Sequence, residues 1–95
     1  MTTRYITITE LCRFHEVEDV LIVEFSDAGF FSIVETSRGP CIAEAELPTI
    51  EAMLRLHTEL GINAAGVETI MHMRHKMESL QQELRYLKAR LGDSF

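Results

Sequence analysis

Residues 70–91 read IMHMRHKMESLQQELRYLKARL, and the spacing of their apolar side chains governs the reading of the whole chain. Ile70, Met73, Met77, Leu80, Leu84, Leu87 and Leu91 recur at alternating intervals of three and four residues. This is the repeat of a helix that meets another helix along one seam, with Ile70, Met77, Leu84 and Leu91 at a and Met73, Leu80 and Leu87 at d. The flanking positions are polar or charged, with Lys76, Glu83 and Arg90 at g and Arg74, Gln81 and Lys88 at e. Glu83 pairs with Lys88 across a parallel dimer, but a single such pair leaves the direction of the two helices open. The stripe could instead pack on the chain's own first half, as amphipathic helices commonly do. A helix of some 28 residues rising about 1.5 Å per residue is, however, too long for roughly 60 preceding residues to cover. The spacing therefore favours a homodimer whose interface is Ile70, Met73, Met77, Leu80, Leu84, Leu87 and Leu91.

Working back from this helix, Asn63 is a good cap for a start near Ala64, and Gly92 follows an end near Leu91, with the last residues expected to fray. Pro48 suits the first turn of a preceding helix in which Ile50, Met53, Leu54, His57 and Leu60 share a face, ending at Gly61. At the other end, Thr7 and Thr9 before Glu10 suit a short helix from about residue 8 to His15. The block Val20, Leu21, Ile22, Val23, Phe25 has strand propensity. Glu18 and Asp19 before it and Ala28-Gly29 after it suit a helix, and these flanks tip the reading to helix. Phe30 to Glu35 reads as a strand, Thr36 to Pro40 as a turn and Cys41 to Leu47 as a returning strand.

The expected fold is mostly α: a winged helix-turn-helix over residues 1–61 with a small β-hairpin wing, followed by a C-terminal coiled-coil dimerisation helix over residues 62–95. Ninety-five residues, 46% hydrophobic, make one modest core, for which oligomerisation is a natural support. Cys12 and Cys41 lie far apart and outside any Cys-x-x-Cys pair, so both are expected to be reduced and largely buried. No apolar run is long enough for a membrane span, and Met1 to Thr9 lacks a secretory pattern, so a cytoplasmic protein with no membrane partner is expected.

The order of these segments resembles the MerR superfamily and, more narrowly, the chaperone-modulator CbpM family. The resemblance rests on Ile6-Thr7-Ile8-Thr9-Glu10-Leu11-Cys12, on Ala28-Gly29-Phe30-Phe31 and on Leu56-His57-Thr58-Glu59-Leu60-Gly61-Ile62-Asn63. The closing stretch from Leu80 to Leu91 completes it, so that it spans nearly the whole chain. Glu16 stands where the family pattern often has glycine, and Val20, Leu21 and Val23 are more apolar than the pattern suggests. The resemblance implies a protein that binds the J-domain of a DnaJ-type co-chaperone of the CbpA class and restrains its action, an adaptor or inhibitor and not an enzyme. The alternative is a MerR-type DNA-binding transcriptional regulator. A third possibility is a small scaffold or a toxin-antitoxin-like component that uses the same fold.

Charge separates these readings. The net charge of −6 disfavours binding to nucleic acid, which draws on Lys and Arg neutralising phosphates. From Phe14 to Ser37 there is no Lys, Arg, Asn or Gln, whereas a DNA-reading second helix needs such side chains to reach base edges. Glu16, Glu18, Asp19, Glu24 and Asp27 are the candidate partner-binding residues, since their carboxylates beside Val20 and Val23 would complement the basic helix of a J-domain. No hydrolase, phosphate-loop or zinc-protease motif occurs, and no catalytic residue or cofactor is assigned. His72 and His75 fall three apart at c and f, on the expected solvent side and without a convergent third ligand, so no metal is assigned. Met71, Met73 and Met77 suit seam or core packing.

Overall fold

The computed structural model describes residues 2–92. Strand β1 (Tyr5–Thr7) leads directly into helix α1 (Ile8–His15) because Thr7 serves both elements. Its backbone ends the strand, while its hydroxyl accepts from the Glu10 amide at 3.1 Å and donates to the Glu10 carboxylate at 2.8 Å. The hydroxyl thus caps the Glu10 amide, one of the otherwise unpaired donors of the first turn, and the Glu10 carboxylate holds the hydroxyl in place.

Helix α2 (Asp19–Asp27) follows after a sharp turn, confirming the helical reading of the apolar block. Ile22 and Phe25 are fully buried, whereas Val20 is 68% exposed. The turn is set at Glu16, whose φ of 55° lies in the left-handed region. That conformation costs an L-residue with a side chain roughly 1–2 kcal/mol, which is why glycine suits the position.

Strands β2 (Ile33–Thr36) and β3 (Gly39–Ala43) form the wing, joined at Ser37 and Arg38. The sheet has three strands, ordered β1-β3-β2 and antiparallel throughout, where the sequence suggested a two-stranded hairpin. Strand β1 pairs Thr7 with Cys41, a partner 34 positions away that no local pattern announces. The first wing strand begins three residues later than expected, leaving Phe31 to bury its ring before the pairing starts. The returning strand begins earlier than expected, at Gly39, and stops at Ala43, well short of Leu47. Pro40 fits because it pairs only with Glu35 and lies beyond the end of β1, so its missing N–H breaks no bond in the ladder. After Ala43 the chain tightens into a 3₁₀ turn, Glu44–Glu46, pinned by the Ser32 amide donating to the Glu46 carboxylate at 3.1 Å.

Helix α3 (Leu47–Thr58) starts with Pro48 in its first turn and ends three residues before Gly61, which has φ +66° in the following turn. Leu60, counted in the apolar stripe of that helix, is therefore off its end and 67% exposed. Helix α4 (Ala64–Arg90) is capped by Asn63, whose side chain accepts from the Gly66 amide at 2.8 Å. Gly92, with φ +63°, follows it; the expected fraying of the last residues falls outside the described residues.

The core gathers Ile8 and Leu11 of α1, Ile22 and Phe25 of α2, Phe31, Ile42 of β3, Ile50, Met53 and Leu54 of α3, and Val67 and Met71 of α4. Cys41 is fully buried beneath the sheet, whereas Cys12 is only partly covered. Beyond Met71, α4 runs clear of the core. The radius of gyration is accordingly 16.8 Å, against about 12 Å for a compact chain of this length.

Candidate partner-binding surface

The turn at Glu16 and the first half of α2 face the end of α3 across a groove of about 550 Å³, lined by Glu16, Val17, Glu18, Val20, Leu21, Glu24, His57 and Thr58. Its apolar part comes from Val17, Val20 and Leu21, and its rim carries three carboxylates. Two further groups have their hydrogen-bonding capacity partly committed. His57 donates through Nδ1 to the Ile62 carbonyl at 2.8 Å, and the Thr58 hydroxyl donates to the Leu54 carbonyl at 2.8 Å. The first bond fixes the imidazole tautomer, leaving Nε2 as its other polar atom.

All five acidic residues singled out from the sequence are exposed. The fold brings Glu16, Glu18 and Glu24 to the groove and leaves Asp19 and Asp27 outside its lining. Asp19 has another neighbour: burial raises the Cys12 thiol pKa above its ordinary value, and the negative charge of Asp19 raises it further. Among the described residues none of the five carboxylates is ion-paired; the ion pairs present are Arg38–Glu10 at 3.8 Å and Arg74–Glu78 at 3.1 Å. The surface therefore offers uncompensated negative charge around an apolar cleft.

The basic residues of the first 61 positions are Arg4, Arg13, Arg38 and Arg55, against eleven Asp and Glu. Arg38, at the tip of the wing, turns inward: it donates to the Tyr5 carbonyl at 3.0 Å and lies beside Glu10. The wing thus uses its cation to hold β1 and α1.

Sequence reasoning missed the contribution of His57 and Thr58, which reach the groove from α3, some forty positions beyond the turn at Glu16. It also passed over Phe14, 81% exposed on α1 with its ring edge-on to His15, for which no patterning argument was available.

Helix α4 presents two apolar faces. Val67 and Met71 enter the core, while the heptad stripe points elsewhere: Ile70 is half-buried near α3, and Met73, Met77, Leu80, Leu84, Leu87 and Leu91 are exposed. The stripe from Met73 onward does not pack on the chain's own first half. His72 and His75 are exposed as their heptad positions implied, yet both rings lie against Phe30, at centroid distances of 4.9 and 6.4 Å. Among the described residues no group of three or more His, Cys, Asp or Glu is placed to hold a metal ion, and no helix is long and apolar enough to cross a membrane.

A helix-turn-helix, a β wing, a third helix and a long projecting helix, in this order, define a winged helix-turn-helix protein. The family model described as "MerR HTH family regulatory protein" matches residues 6–89, and the chain belongs to that family. No curated protein and no solved structure matches it.

Proposed function

We propose that this chain is a non-enzymatic modulator of a DnaJ-type co-chaperone, acting in the cytoplasm as a homodimer joined along the α4 stripe. In this reading the J-domain docks on the groove beside α2. Glu16, Glu18 and Glu24 meet its basic helix, an apolar side chain enters between Val17, Val20 and Leu21, and Asp19 and Asp27 extend the attractive field. The supporting observation is the makeup of α2 itself. The helix that would enter the major groove in a DNA-reading relative has Val20, Val23, Glu24 and Asp27 on its exposed side and no base or amide to reach phosphates or base edges.

The family description favours a second reading, a DNA-binding regulator. It would require DNA to be held by residues other than those of α2. Titration of the full chain against a labelled J-domain and a labelled DNA duplex, at about 0.15 M salt where the Debye length is roughly 8 Å, separates the two. Saturable J-domain binding without a DNA shift supports the modulator; DNA binding without J-domain binding overturns it in favour of the regulator.

A further inference from the structure

The polar side chains around the groove between α2 and α3 are hydrogen-bond acceptors, and this restricts the chemistry of what can fill it. Glu16, Glu18 and Glu24 bring carboxylates, which accept and do not donate when ionised. On the facing wall, His57 gives its Nδ1 hydrogen to the Ile62 carbonyl at 2.8 Å, so Nε2 of the neutral ring carries a lone pair and no hydrogen. Thr58 gives its hydroxyl hydrogen to the Leu54 carbonyl at 2.8 Å, which leaves only oxygen lone pairs. The groove of about 550 Å³ therefore has no side-chain N–H or O–H left to offer, and no Lys or Arg of this chain lines it.

We infer that the groove is a receptor for an arginine side chain of the partner protein. The inference rests on the docking reading above and narrows it: the basic group that meets the three carboxylates is a guanidinium, and its methylenes share Val17, Val20 and Leu21 with the partner's apolar side chain. The occupant must donate in more than one direction, because its acceptors sit on two elements, the start of α2 and the end of α3. A guanidinium presents a planar fork of N–H groups that can meet a carboxylate on one wall and Nε2 on the other, whereas an ammonium is a compact point charge. The guanidinium is also the more weakly hydrated of the two, so bringing it against apolar side chains costs less, and its stem covers them.

Other occupants fit less well. A bare divalent cation finds no cage, since among the described residues no group of three or more His, Cys, Asp or Glu is placed to hold a metal ion. A phosphate backbone would bring acceptors and negative charge to a lining of the same kind.

The test is an NMR titration of the isotope-labelled full chain, at constant ionic strength, with N-acetyl-arginine methylamide and its lysine and citrulline counterparts. The arginine compound is expected to shift Val17, Val20, Leu21 and the His57 ring saturably, with a Kd on the order of 1 mM. The lysine compound should bind about threefold or more weakly, and citrulline, which has the shape without the charge, should not saturate. Equal binding of arginine and lysine, arginine shifts spread over carboxylates outside the groove, or no shift at all would overturn the assignment. His57→Asn keeps an N–H for the Ile62 carbonyl but removes the acceptor at Nε2, and it should weaken arginine binding about threefold at an unchanged melting temperature. Glu24→Gln, at an exposed position, should do the same; undiminished binding by both variants overturns the proposal. A J-domain whose arginines are all changed to lysine keeps its charge and should bind about tenfold more weakly than its parent. Equal affinity would remove the arginine and leave the modulator reading standing. A parent J-domain that fails to bind while the arginine compound saturates the groove removes the modulator reading and supports this one.

Discussion

Reversing charge at the groove gives the sharpest test of how the proposed surface works. The double variant Glu18→Lys/Glu24→Lys removes two carboxylates from the rim and puts ammonium groups in their place. An exposed ion pair contributes roughly 0.2–1 kcal/mol, and reversal turns each attraction into a repulsion of comparable size. Two sites then amount to about 1–4 kcal/mol, a loss of roughly 5- to 900-fold in J-domain affinity at about 0.15 M salt. Steering by rim charges acts mainly on association, so stopped-flow or surface-plasmon measurements should show the loss in the association rate. At about 0.5 M salt, where the Debye length falls to about 4 Å, most of the difference should vanish. Asp19→Lys/Asp27→Lys, outside the groove lining, should cost less. Equal effects from the two doubles would refute the placement, and a loss seen only in dissociation and insensitive to salt would refute the electrostatic reasoning.

Cys12 should alkylate more slowly than a free thiol at pH 8, because burial and then Asp19 hold its pKa above the ordinary value; Asp19→Asn should speed it, as followed by mass spectrometry. Asn63→Ala removes the acceptor for the Gly66 amide and should cost about 1 kcal/mol in urea denaturation, with the m-value unchanged. Gly66→Ala adds helix propensity, yet its methyl would lie 2.6 Å from Ile62 Cγ2. That side chain is β-branched and its backbone is tied to Leu56, so the variant should melt at a lower temperature than the parent. Phe25→Ala, which empties a fully buried ring site, should cost about 3–5 kcal/mol by the same denaturation assay.

How much of this was legible depended on the range of the interaction. The helices could be read because caps and apolar spacing are local. Thr7 and Asn63 cap where expected, and Ile22 with Phe25 repeats at a helical interval despite β-branched neighbours. Strand β1 was missed because three residues carry too short a pattern, and its partner in β3 is set by the folded chain. The wing strand ended early for a related reason: Glu46 is drawn off to cap the Ser32 amide, a tertiary bond invisible in the segment's propensity. At the candidate surface, sequence supplied the acidic residues but not which of them share a cleft. That selection depends on α3 bringing His57 and Thr58 alongside the turn at Glu16.

The rooting of α4 has a mechanical consequence. Val67 and Met71 clamp the first turns of the helix in the core, and from Met71 to Arg90 the rod extends about 29 Å without an interruption. It is a lever with a short arm among Ile50, Met53 and Phe25 and a long arm carrying the heptad stripe. A tilt of about 10° at the root would move the tip by about 5 Å, close to the pitch of one helical turn. Whatever grips the long arm therefore reports on the packing of the short one, and strain applied at either end is felt at the other.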